Sequence, residues 1–171
     1  MSDFIPHADQ ITRVVDCRVV TVSDTRSPET DTSGQLIKKL LLDAGHQISD
    51  YLILPDEKEL VINHLKSWGD RPVPDSEQVI IFNGGTGIAP RDNTYDAIAL
   101  LLEKTLPGFG EIFRYLSYQE IGSRAIASRA VGGVYRGKLI FSLPGSTKAV
   151  RLGMEKLILP ELQHLVKLLN D

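Results

Sequence analysis

The sequence is short of several things, and each shortage closes off a class of function. Its 171 residues hold one cysteine, Cys17, so no internal disulfide can form and the chain suits a reducing compartment such as the cytoplasm. No apolar run approaches the ~18 residues of a membrane span. The opening "MSDFIPHADQ" lacks the basic-then-apolar order of a secretory signal. Neither sign of charge dominates: the net charge of −3 offers no general basic surface to nucleic acid or anionic lipid. The histidines and Cys17 show no metal-ligand spacing, so no zinc site is expected. G-x-x-x-x-G-K-[ST] and G-x-G-x-x-G are both absent, which argues against a standard P-loop or dinucleotide site. No Ser–His–Asp arrangement can be argued.

What is present is a globular composition, 42% hydrophobic and 24% charged, of a length that fits one domain. Residues 1–12 are polar and aperiodic and read as an arm; residues 13–171 read as a single domain. "CRVVTVS", "HQISDYLILP", "QVIIFN" and "KLIFSLP" are apolar runs that read as strands, the last two as strands buried on both faces. Between them, "SGQLIKKLLLDAG" and "DEKELVINHLKSW" carry helical stripes. "NTYDAIALLLEKT" reads as a third helix. After a break at "PGFGE", residues 111–133 read as helical in two pieces parted at Gly122. The C-terminal stretch reads as a long helix kinked or broken at Pro160. Alternating strands and helices predict a three-layer α/β/α sandwich with a mainly parallel sheet and a helical insertion after residue 104.

Four predicted strands run into loops that lead to helices, and ligands of open α/β sheets bind beyond such strand ends. The loops place Ser23 and Asp24, Asp56, the run Gly84–Gly85–Thr86–Gly87, and Pro144–Gly145–Ser146 along one edge. Ser, Thr or Gly ahead of a helix favours anions, so the set points to a phosphorylated ligand. From spacing alone the glycine run is equally a crowded turn and a cradle that lets a ligand approach the backbone. Asn93 and Asp96 have capping-box spacing, which leaves Asp92 available to hold a metal ion. Asp56 would share that task or serve as a helix N-terminal acid. Ser146 reads first as a helix cap. Arg124 and Arg129 would clamp a phosphate or line a subunit contact, and spacing does not separate these.

In order along the chain, "TVSDTRS", "DTSG", "GGTG", "GFGEIFRYLSYQEIG", "SRAVGG" and "LPGSTKA" resemble the MoaB/MogA family of molybdenum cofactor biosynthesis, over about residues 15–165 and most closely its MoaB branch. The resemblance implies that family's molybdopterin-binding fold and assembly as a homotrimer or homohexamer. It implies molybdopterin as substrate and ATP with Mg²⁺ as co-substrate. AMP would pass to the terminal phosphate of molybdopterin with release of pyrophosphate. The acids required by the family fall on Asp92 and Asp56, as catalytic residues and metal ligands. Ser23, Asp24, Ser33, Gly34, Gly84, Gly85, Thr86 and Gly87 would bind molybdopterin or its phosphate, and Pro144, Gly145 and Ser146 the nucleotide. A carrier that binds molybdopterin without catalysis is the alternative.

Overall fold

The computed structural model describes residues 13–71 and 77–171; the predicted arm at 1–12 lies outside them. Apolar runs form the strands β1 (Asp16–Val22), β3 (Glu77–Asn83) and β6 (Lys138–Leu143), the more polar "QISDYLIL" forms β2 (Gln47–Leu54), and two further strands, β4 (Lys104–Thr105) and β5 (Val131–Tyr135), join them. They make one sheet in the order β2-β1-β3-β6-β5-β4. β2, β1, β3 and β6 are parallel, and β5 runs antiparallel to both β6 and β4.

Side-chain alternation sends each strand's residues to opposite faces. Val19, Ile81, Phe141 and Leu143 pack under α1 (Thr32–Asp43), α4 (Pro107–Ile121), α5 (Thr147–Gly153) and α6 (Leu159–Asn170). Val20, Ile80, Phe82 and Ile140 pack under α2 (Lys58–Gly69) and α3 (Thr94–Ala99). The arrangement is the three-layer sandwich expected.

Local structure departs from expectation in four places. The third helix is shorter than predicted: α3 ends at Ala99, and Lys104–Thr105 pair with β5. The "PGFGE" stretch is no break. Pro107 stands in the first turn of α4, where its missing N–H and fixed φ suit a helix start. The second predicted helical piece is a 3-10 turn (Gly122–Ala127), and its end, Val131–Gly132–Gly133, is strand β5. Pro160 does not break the C-terminal helix either. A π turn over Met154–Ile158 precedes it, with the Leu159 N–H reaching back to the Met154 carbonyl, and the widened turn accommodates a proline with no N–H to give.

The connectivity sets the site. From β1 the chain moves outward to β2 and then returns to β3 on the other side of β1, so successive connections diverge at the β1/β3 boundary. Such a crevice at the carboxyl ends of strands is where open α/β sheets bind ligands.

Candidate functional site

Three strand ends converge on Gly84. Its N–H donates to the Leu143 carbonyl at the end of β6 (2.9 Å). A Cβ at Gly84 would overlap the carbonyl oxygen of Val22 at the end of β1, and Gly145 approaches from the other side. With φ of +103° at Gly84 and +64° at Gly85, the chain turns through a backbone region that only glycine enters easily. Thr86 is buried. Among the described residues, no protein group accepts from the N–H of Gly85, Thr86 or Gly87, so the loop keeps donors for an anion.

Two carboxylates pack against this loop. A Cβ on Gly85 would stand 2.9 Å from Asp56 Oδ2, and one on Gly87 would stand 2.6 Å from Asp92 Oδ2. Asp56 Oδ1 accepts the Asn93 N–H at 3.1 Å, which ties the β2–α2 loop to the residue after Asp92. Asp24 reaches the same place from the β1–α1 loop: its Oδ1 accepts the Asp56 N–H at 3.1 Å, and its Oδ2 pairs with Arg91. Burial raises the Asp56 pKa above the ordinary carboxylate value; the Asn93 hydrogen bond opposes this, the negative charges of Asp92 and Asp24 add to it, and Arg91 opposes it. The capping box expected from Asn93 and Asp96 is not formed. Asn93 makes no side-chain cap because it bonds Asp56 and the Arg91 carbonyl instead, and Asp96 is drawn to Arg129.

Beneath the loop, on the α1 side of the sheet, lies a buried polar layer. Asp31 accepts from Thr21 Oγ1 (2.6 Å), Tyr51 Oη (2.7 Å) and the Gly34 N–H (2.9 Å), and it faces Arg26 at 3.2 Å. Burial alone would raise its pKa, but these hydrogen bonds and the Arg26 charge outweigh it and hold the carboxyl below its usual range. Asn83, the last residue of β3, donates to Thr21 Oγ1 (2.8 Å) and accepts from Ser33 Oγ (3.0 Å). Arg26 also donates to the Gly145 carbonyl at 2.8 Å, which links the β1–α1 loop to the β6–α5 loop.

The predicted residues therefore divide. Asp24, Asp56, Asp92 and Gly84–Gly87 surround one corner. Ser23 Oγ caps its own loop, accepting from the N–H groups of Thr25 and Arg26. Ser33 and Gly34 are buried in the floor, turned to Asn83 and Asp31. Pro144 and Gly145 border the corner, and Ser146 caps α5 by accepting the Ala149 N–H at 3.2 Å. A cleft of about 780 Å³ opens beside the corner between Ser23, Asp24, Arg26, Tyr51 and Ile53, a size that suits a small organic ligand. Arg26, Tyr51 and Asn83 escaped the sequence reading. The available signal was a polar residue at or next to the end of an apolar strand, as Asn83 is in "IIFN" and Thr21 is in "VVTV".

Among the described residues, no group of three or more His, Cys, Asp or Glu side chains is placed to hold a metal ion by itself. A pair such as Asp56 and Asp92 nevertheless suits Mg²⁺, which takes one or two carboxylates and completes its shell with water and phosphate. Burial and like charge at Asp56 favour an added cation. No helix among the described residues is long and apolar enough to cross a membrane.

Comparison with known proteins agrees with this fold. A family described as "probable molybdopterin binding domain" matches residues 18–164. The chain is 50% identical over 162 residues to molybdenum cofactor biosynthesis protein B of Halalkalibacterium halodurans, covering 94% of each chain. It is 49% identical over 162 residues, with the same coverage, to the protein of that name from Bacillus subtilis. A crystal structure of a molybdenum cofactor biosynthesis protein B superposes with a TM-score of 0.88 at 48% identity, over 94% of this chain and 99% of the other. The tungsten cofactor synthesizing protein MoaB of Pyrococcus furiosus superposes with a TM-score of 0.80 at 35% identity, over 94% and 100%. The chain belongs to the MoaB/MogA family of molybdenum cofactor biosynthesis proteins and carries its molybdopterin-binding domain.

Proposed function

We propose that the protein adenylylates the terminal phosphate of molybdopterin with ATP and releases pyrophosphate, in the cytoplasm and as a homotrimer or homohexamer. One observation carries this reading: a glycine loop with free N–H groups has Asp56 and Asp92 packed against its glycines, at the point where the sheet's connections diverge. The loop's N–H groups hold phosphate oxygens, and the Pro144–Gly145–Ser146 turn borders the nucleotide. The cleft beside Ser23, Asp24 and Arg26 takes the body of molybdopterin. Mg²⁺ arriving with ATP would be held by Asp92 and Asp56 and would neutralise phosphate charge. The nucleophile is already an anion, so the chain's task is alignment and charge balance rather than proton abstraction. That agrees with a glycine-loop corner whose charged neighbours are Asp24, Asp56, Asp92 and Arg91.

The test is pyrophosphate release and AMP transfer with purified protein, ATP, Mg²⁺ and molybdopterin. Turnover is expected from the natural sequence, and Asp92→Asn should lower it roughly a hundredfold or more. Undiminished turnover in that variant would remove Asp92 from the mechanism. Molybdopterin binding with no pyrophosphate release would mark the protein as a carrier instead.

A further inference from the structure

Arg129 lies outside every strand-end corner, between the 3-10 turn and β5, yet its guanidinium grips the glycine loop. Nε and Nη2 donate to the Gly87 carbonyl at 2.9 and 2.6 Å, and Nη2 also donates to the Asp92 carbonyl at 3.0 Å. Nη1 meets both carboxylate oxygens of Asp96, at 3.0 and 3.1 Å. The guanidinium carbon stands 4.7 Å from the centroid of the Tyr95 ring, and the Arg129 backbone N–H donates to the Thr86 carbonyl at 3.1 Å. All three guanidinium nitrogens are engaged, and the charge is matched by Asp96. The fork's donors are thus spent on this chain's own carbonyls and on Asp96.

The two carbonyls it joins bracket Ile88–Arg91, four exposed residues. Inside that bracket Ala89 and Asp92 exchange two hydrogen bonds: the Asp92 N–H donates to the Ala89 carbonyl, and the Ala89 N–H donates to Asp92 Oδ2, each at 2.9 Å. The direction of the Asp92 carboxylate is therefore fixed by a small closed loop whose two ends rest on one planar cation.

We propose that Arg129 is the positioning residue of Asp92: it touches no ligand and sets the carboxylate by holding the carbonyls of Gly87 and Asp92 at a fixed separation. The inference rests on the reading of Asp92 as a functional carboxylate. Its chemistry is specific to arginine. A lysine would keep the charge and the partner Asp96, but a point ammonium cannot span two carbonyls and a carboxylate as a rigid fork does.

Two measurements test this. The first is amide hydrogen exchange in the protein without ligand. In Arg129→Lys the amides of Ala89 and Asp92 should exchange faster, while those of Val19–Val22 and Ile80–Phe82 stay protected and report that the fold is intact. Asp96→Asn, which removes only the guanidinium's carboxylate partner, should show the same pattern at smaller size and serves if the first variant folds poorly. The second is Mg-ATP affinity by calorimetry in the natural protein, Arg129→Lys, Asp92→Asn and the double variant. Arg129→Lys alone should weaken binding roughly 10- to 100-fold, the usual cost of losing an outer-shell partner. In the Asp92→Asn background it should add little, because coupled residues are non-additive. Unchanged exchange at Ala89 and Asp92 overturns the proposal, and so do additive losses in the cycle. A natural protein that binds no Mg-ATP overturns the nucleotide reading instead, and exchange alone then decides the role of Arg129.

Discussion

Asp56 carries the clearest electrostatic signature of the candidate site. Burial, with the charges of Asp92 and Asp24, raises its pKa. A folded-state pKa above the unfolded one stabilises the protein below the unfolded value, and that contribution is lost as pH rises through the folded value. The ionised carboxylate is therefore a burden on stability, one that the cation proposed above would relieve. Asp56→Asn should leave the melting temperature at pH 7 unchanged or higher, since an amide oxygen can still accept the Asn93 N–H. The same substitution should remove Mg-ATP affinity. In the natural protein that affinity should decline as pH falls, starting above the ordinary carboxylate value of about 4, because protonating Asp56 removes a ligand. Calorimetric titrations across pH 4–8, paired with thermal melts, read both effects; a melt at pH 7 that drops sharply would mean that the carboxylate is structural. Asp56 and Asp92 could be picked out in the sequence as acids in strand-to-helix loops, but spacing left each of them open to a helix-terminal role, and the family resemblance is what singled them out. Arg129 was noticed, but its role was not legible, since beside Asp96 its partners are the backbone carbonyls of residues 87 and 92 and a carbonyl leaves no mark on residue identity. Cys17 stays outside this chemistry, because burial and then the Asp16 charge push its thiol up to about 12.

At the scale of elements, the glycines of the loop differ from others in what surrounds them. Gly45 follows α1 with φ of +84° and nothing within 4 Å of where a Cβ would stand, whereas a Cβ on Gly84 would meet the Val22 backbone. Gly45→Ala should cost about 1–2 kcal/mol from backbone strain alone. Gly84→Ala should cost distinctly more, because backbone cannot step aside as a flexible side chain can, and it should loosen the junction of β1, β3 and β6. Chemical denaturation of both variants makes the comparison; equal losses would show that the strand ends have room to part. The parallel strands and α1 and α2 were legible because apolar runs and helical stripes mark them directly. β5 was not. "ASRAVGG" is rich in small residues and looks helical, and paired glycines are poor strand formers. Their reason is tertiary: a Cβ on Gly133 would overlap the Lys104 carbonyl, so the strand needs glycine to let β4 approach. β4 itself, two residues long, is too short for any periodic signal.

For the whole molecule, the insertion bearing α4 is two-sided. Phe109, Phe113 and Ser117 face the sheet. The outer face shows Ile112 at 49% exposure, Tyr115 at 63% and Tyr118 at 60%, and the following 3-10 turn shows Ile126 at 87%. Aromatic and aliphatic side chains grouped in this way suit the buried centre of a subunit contact. Light scattering of the natural protein should give the mass of three or six chains. Tyr115→Lys combined with Ile112→Lys should shift it toward one chain while the circular dichroism spectrum is kept. A natural protein that scatters as a single chain would remove the assembly proposed above. The sequence suggested this surface through "IFRYLSY", though only the packing of Phe113 inward decides which side of α4 is left facing out.

The buried polar layer under the glycine loop also acts as a register key for the sheet. Thr21 and Asn83 are paired neighbours on β1 and β3, and they meet Asp31 and Ser33 on a single face. Slipping β3 by one residue would turn Asn83 toward the apolar side that holds Val22 and Phe82, and it would bring Phe82 under the Asp31 carboxylate. A strand flips every side chain when it shifts by one, so this alternative strands a buried charge and an amide together. The residues that floor the candidate site thereby discriminate against misaligned sheets while the chain folds, and a protein that mispairs β1 with β3 has no layer on which the loop can rest.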